Sequence, residues 1–173
     1  MHAFVLYPDP LLNEVAVPRP VDASLREAGA ALQAAAAGAE AYGLAAVHIG
    51  RLEPLAVVSV ARQGMPRDYR VMFNPRVLTL SEESTFGPEG SVSMPGIEVP
   101  IERSVWAEIG FDSEDGMPTT LKLEGFAARV AQHEIDQVNG IFFLDRLSRL
   151  KRETAIRKFQ KSRRQVDREG RVS

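Results

Sequence analysis

The sequence predicts a mixed domain of helices and strands, and three observations carry the prediction. An apolar run from Phe126 to Val138 ends at Asn139-Gly140, residues that tolerate a left-handed turn, and reads as a buried helix. Before it, Ser104 to Phe111 alternates, with Val105, Ala107, Ile109 and Phe111 on one face. The acidic turn Asp112-Ser113-Glu114-Asp115-Gly116 then reverses the chain into Thr119 to Leu123, which makes a hairpin. Near the start, Asp22 or Ser24 caps a helix that reaches Ala37 and stops at Gly38.

In chain order, Val5-Leu6-Tyr7-Pro8-Asp9-Pro10 is a short extended piece ended by prolines, too rigid to begin a helix. The first helix presents Leu25, Ala28, Leu32 and Ala35 or Ala36 as a narrow apolar stripe, and its alanines are good helix formers. Ala41 to Gly50 threads small residues with large apolar ones, which lets backbone approach a ligand or a neighbouring strand closely. Leu55 to Val60 reads as a buried strand, and Val71-Met72-Phe73, followed by Asn74-Pro75, as another. Glu89 to Gly96 is a loop bracketed by glycine and proline. After the central helix come Ile141-Phe142-Phe143-Leu144 and a terminal basic helix capped by Ser148. No internal repeat and no dividing linker interrupts the chain. It is expected to be one domain over residues 1–147 followed by a basic helix and tail over 148–173.

Composition narrows the function. The 173 residues are 45% apolar and 25% charged, as in a globular protein with a real core. No apolar stretch approaches the roughly 20 residues of a membrane span, and Met1 to Pro8 lacks the pattern of a signal peptide, so a cytoplasmic location without membrane contact is expected. With no cysteine there is no disulfide and no thiolate ligand or nucleophile. The net charge of −2 is uneven: residues 148–173 hold 10 Lys or Arg against 3 Asp or Glu. A basic arm on an acidic body is one that RNA phosphates could meet, through Arg149, Lys151, Arg152, Arg157, Lys158, Lys161, Arg163, Arg164 and Arg168, or simply a solvated helix face.

The chemistry concentrates at Gln132-His133-Glu134-Ile135-Asp136-Gln137. On a helix His133 and Gln137 lie four apart on one face, with Glu134 beside them. His-Glu-x-x-His at this spacing holds a zinc-type ion and supplies a general base. Here the second histidine is glutamine. Two further stretches, Gly43-Leu44-Ala45-Ala46 and Glu89-Gly90-x-x-Ser93-x-Pro95-Gly96, accompany it in order. Together the three resemble the signature motifs of the peptide deformylase family, with support from Tyr7-Pro8-Asp9-Pro10, Asn74-Pro75, Arg103 and Asn139-Gly140. The resemblance runs from about Val5 to Arg152. It implies an α+β fold, with mixed and antiparallel sheets around the central helix, and metal-assisted removal of the N-formyl group from nascent peptides.

The resemblance also assigns roles, and the departures fall on them. The family binds iron, zinc or nickel through a cysteine and two histidines, and those positions are Ser91, His133 and Gln137 here, so only His133 is retained. Glu134 takes the place of the general base, and His48 that of the glutamine that steadies the oxyanion. Gly43, Leu44 and Val92 fall where the substrate peptide binds. A serine hydroxyl and a carboxamide are weak neutral donors for a soft divalent ion. The expectation is therefore a degenerate paralogue that carries no metal, has weak or no deformylase activity, and keeps a pocket for a peptide with an apolar first residue. Two alternatives stay open. One is an active amide hydrolase whose metal site is rebuilt from His48 and His133, and the other a ribosome- or RNA-associated peptide-binding protein. Ser91 as a nucleophile with His133 as its base is permitted by residue type, but nothing in the spacing supplies an orienting acid. The ligand and the oligomeric state are not readable from the sequence.

Overall fold

Asp22 accepts a hydrogen bond from the Leu25 N–H at 2.8 Å and so starts helix α1, Ala23–Gly38. The computed structural model describes residues 3–169, with side chains as far as residue 165; Met1, His2, the Arg168 side chain and the tail from residue 170 lie outside the described residues. α1 runs through Gly38, and the left-handed position that follows is taken by Glu40, at φ 52°. All five stripe residues, Leu25, Ala28, Leu32, Ala35 and Ala36, are buried.

Among the described residues seven strands follow: β1 Gly43–Ala45, β2 Leu55–Ser59, β3 Tyr69–Leu80, β4 Ser84–Gly90, β5 Glu98–Ser104, β6 Trp106–Asp112 and β7 Pro118–Glu124. They form a five-stranded sheet in the order β1-β2-β3-β6-β7 and a separate pair, β4-β5. Every pairing is antiparallel. β2 is buried at all five positions because both of its faces are covered. Leu55 and Val57 pack in the cluster made with α1, while Val58 joins the cluster made with helix α2, Gly125–Val138. β6 and β7 are the predicted hairpin, with Ala107, Ile109 and Phe111 buried towards α2.

Three elements differ from the sequence reading. Prolines do begin a helical turn: a short 3-10 helix spans Pro10–Asn13, where Pro sits at an N-terminal position that needs no N–H donor. β3 continues through Asn74-Pro75, because register shifts against β6 absorb the irregularity and Asn74 adopts φ 49°. Glu89 and Gly90 belong to β4 rather than to the loop, which is confined to the residues between β4 and β5.

α2 ends as expected, with Gly140 at φ 72°. A 3-10 helix, Phe143–Arg146, leads to α3, Arg149–Glu169. Ala155 and Phe159 of α3 are buried in a third cluster with Leu12, Met94, Phe142, Phe143 and Leu144. Among the described residues, no helix is long and apolar enough to cross a membrane.

Candidate functional site

α2 lies between the large sheet and the β4-β5 pair, and a cavity of about 320 Å³ opens where β1, β4 and α2 converge. His48, Gly43 and Leu44 reach it from β1 and the turn after it, Ser91 and Val92 from the loop after β4, and His133 and Glu134 from α2. Of the candidate catalytic, substrate-binding and metal-ligand residues, the structure thus brings together all but Gln137, which does not line the cavity. Its Nε2–H donates to the Leu12 carbonyl at 2.5 Å, tying α2 to the Pro10–Asn13 turn.

Gly43 is a glycine for a physical reason. A Cβ there would sit 2.7 Å from Val130 Cγ1 and 2.8–2.9 Å from Glu134, so α2 can press its carboxylate onto β1 only without a side chain. Glu134 is 5% exposed, and its Oε2 has no hydrogen-bond partner. Burial pushes its pKa up to about 7, against the pull of His133. His48 lies 3.7 Å away, measured from Nδ1 to Glu134 Oε2. That Nδ1 accepts the Ala45 N–H at 3.0 Å, so the ring proton is on Nε2, which is buried and without a partner. Burial, and then the nearby His133, push the His48 pKa down to about 3 and keep the ring neutral.

A buried ionic network that the sequence did not announce fixes the other wall. Glu89 accepts from Arg103 Nε and Nη2 at 2.8 and 3.0 Å, from Arg129 Nη1 at 3.0 Å and from His133 Nδ1 at 2.9 Å. Burial opposes the charge of Glu89, yet its bonds to His133 and Arg103 hold its pKa at about 2. Burial also works to lower the pKa of His133, but Glu89 and Glu134 keep it above the ordinary value. Arg103 continues to Asp136 at 2.5 Å, and Asp136 to Arg146. Arg129 also donates to the carbonyls of Thr85, Gly87 and Ile101, stitching α2 to β4 and β5. Arg103 and Asp136 entered the sequence reading only as parts of motifs. Arg129 and Glu98, which also line or border the cavity, were not singled out. A lone arginine inside the apolar run of α2 was the available signal.

The donor set can be tested against the family's metal. Ser91 Oγ accepts the Ser93 N–H at 3.1 Å and remains a neutral hydroxyl. Gln137 is turned to a backbone carbonyl, and His133 has only Nε2 to offer. Among the described residues, no group of three or more His, Cys, Asp or Glu is arranged to hold a metal ion. One imidazole nitrogen and one neutral hydroxyl do not make the three-ligand set that a catalytic zinc-type ion needs.

The "Polypeptide deformylase" family model matches residues 1–153. A protein of Rhizobium meliloti named peptide deformylase-like is 41% identical over 159 residues, 91% of this chain and 90% of that one. A peptide deformylase of the same organism is 34% identical, over 91% of each chain. The crystal structure of peptide deformylase from Ehrlichia chaffeensis superposes with a TM-score of 0.87 at 29% identity, covering 95% of this chain and 97% of that one. With the fold, the three motifs and the site all in family order, the chain belongs to the polypeptide deformylase family.

Proposed function

We propose that this protein is a deformylase-like paralogue with little or no metal-dependent deformylase activity, which keeps a pocket for the N-terminal residue of an extended peptide. The observation that carries the reading is the Gln137 carboxamide, which is bonded to the Leu12 carbonyl and absent from the cavity wall. With Ser91 in place of a thiolate, Glu134 has no activated water on which to act as base. The coexistence in Rhizobium meliloti of a deformylase and a deformylase-like protein, the latter more similar to this chain, supports a paralogue.

The peptide groove rests on two free edges. Among the described residues β1 pairs only with β2, and β4 only with β5, and both line the cavity, so an extended chain can add to them as a strand. Leu44, Val130, Phe126 and the Tyr42 ring, which meets Phe126 edge-on at 4.6 Å, give an apolar wall for a first side chain. The rebuilt hydrolase has one feature in its favour, the unpartnered His48 Nε2–H, a donor suited to an oxyanion. Against it, the Ala45 N–H already occupies Nδ1 and fixes the ring. An RNA- or ribosome-associated role draws support from Lys151, Arg157, Lys158 and Lys161 of α3, which are exposed and have no ion-pair partner among the described residues. Salt-sensitive RNA binding lost on truncation after Leu147 is its test.

Metal analysis of protein purified without oxygen or chelator, beside a formyl-Met peptide hydrolysis assay, tests the leading reading. The expected result is a metal content well below one ion per chain, with barely detectable hydrolysis. Near-equimolar zinc, iron or nickel, lost together with activity in His133→Ala, overturns it.

A further inference from the structure

We infer that this chain forms a two-fold symmetric dimer by pairing the distal half of β3, Arg76 to Leu80, antiparallel with the same segment of a second copy. β2 accompanies β3 only as far as the Leu55–Phe73 pair, whereas β6 follows it from Phe73 to Leu80. Among the described residues, the backbone of Arg76 to Leu80 is bonded on the β6 side alone. The other edge is left open, and all five of its residues are exposed. Three of them are large and apolar: Val77 is 36% exposed, Leu78 48% and Leu80 46%. An open edge of this composition is a template for one more strand.

The segment is complementary to itself when reversed, which selects a second copy as that strand. Residues opposite each other in a sheet share a face. Val77 pairs with Ile109 and Leu80 with Ala107, both buried towards α2, so Val77 and Leu80 face that way. A register shift between Val77 and Thr79 puts Leu78 and Thr79 on the opposite face. There Thr79 pairs with Glu108, and Leu78 lies over Gly110, 3.1 Å from where a Cβ would stand. A two-fold axis between Leu78 and Thr79 sets Val77 opposite the partner's Leu80, and Leu78 opposite the partner's Thr79. Each pair keeps to one face and occurs twice. A shift of one residue would set an α2-side residue against one of the other face. Val77 and Leu80 also line an open cleft of about 540 Å³ backed by Ile135, so the α2-side pairs have apolar surface to rest on.

The charges agree with the same register. Arg76 comes opposite the partner's Ser81 and next to the partner's Glu82. Arg76 and Glu82 are both exposed, and neither forms an ion pair among the described residues. The antiparallel pair thus gives each Arg76 an acidic neighbour at both ends of the interface, which an unrelated strand does not supply. None of these residues lines the cavity between β1, β4 and α2, so the dimer leaves that pocket open.

Sedimentation velocity of the full chain, from about 1 to about 500 μM, tests the inference across the range where a small interface associates. The expected result is a concentration-dependent passage from monomer to dimer. Leu80→Lys, at an exposed position outside the core, is expected to weaken the dimer about tenfold or more. Arg76→Glu sets like charges together at both ends and is expected to weaken it by about tenfold. Adding Glu82→Arg to Arg76→Glu restores the opposite charges and is expected to bring association back to within about threefold of the parent. A chain that stays monomeric throughout, a dimer indifferent to Leu80→Lys, or a charge swap that recovers nothing of what Arg76→Glu loses overturns the inference.

Discussion

Replacing Glu134 by glutamine separates a carboxylate that supports the fold from one that burdens it. The side chain is 5% exposed, Oε2 has no partner, and the nearest basic group, His48, is neutral at 3.7 Å. Burial moves its pKa from the ordinary 4.5 up to about 7. The folded state therefore binds the proton more tightly than the unfolded chain does. Stability falls as the pH rises from about 4.5, and the loss is complete above about 7. At about 1.4 kcal/mol per pKa unit, the charged form costs about 3 kcal/mol. Glutamine does not titrate, so Glu134→Gln is expected to match the parent closely near pH 4.5 and to exceed it by about 3 kcal/mol near pH 8.5. Any packing difference, including an imperfectly placed carboxamide N–H, shifts both conditions alike. Urea unfolding of the two proteins at both pH values reads the difference directly. Parallel stability profiles, or a variant weaker by more than about 2 kcal/mol at the higher pH, would refute the reasoning. Either outcome would mean that Glu134 anchors α2 to β1 in its charged form.

Two further predictions concern the rest of the site. The double change Ser91→Cys, Gln137→His is expected to restore divalent metal binding, and either single change to help less, since fewer than three protein ligands hold such an ion poorly. Calorimetric zinc titration checks this, and a folded double variant that takes up no metal refutes it. Arg103→Ala removes the partner of Glu89 and Asp136 at 2.5–3.0 Å and is expected to cost about 3 kcal/mol, the low end for a broken buried pair because Arg129 and Arg146 remain. A loss below about 1 kcal/mol in urea unfolding would show the network to be dispensable.

The elements legible in the sequence were those with one clean periodicity. α2 carries an uninterrupted apolar run and the β6-β7 hairpin a strict alternation, and both appear where expected. β4 and β5 escaped because β4 is largely exposed, β5 buries a charged Arg103, and Gly87, Pro88 and Pro100 interrupt them, so neither period survives in the letters. β3 was cut short at Asn74-Pro75, a pair that usually ends a strand and here sits at a register shift. At the site, the motifs located about half of the residues that line the cavity, but helical spacing alone put Gln137 there as well. Residues four apart share a helix face, yet that face is wide enough for one to meet the cavity and the other a backbone carbonyl. The ionic network was invisible because its partners are 14, 33, 40 and 44 residues apart, on β4, β5 and α2.

The departures from the family pattern sort by what each side chain touches. Glu89, Arg103, Gln132 and Asp136 keep the family's letters, and all are engaged in joining elements. Gln132 bonds the backbone of Ser104 through both ends of its amide, and the other three form the buried network. Ser91 and His48 depart, and the hydrogen bonds they accept are local, from Ser93 and Ala45. A changed family letter there unpairs no buried charge. Gln137 departs as well, but its amide gains a tie to Leu12 by donating an N–H. On the proposed reading, a site free of the demand for three converging ligands can use that position for stability, which is the exchange expected when a functional constraint is relaxed. Glu134 does not follow this pattern: it keeps the family's letter, has one carboxylate oxygen without a partner, and sits in a buried place that burdens the fold. A carboxylate of that kind persists most simply when a ligand still meets it.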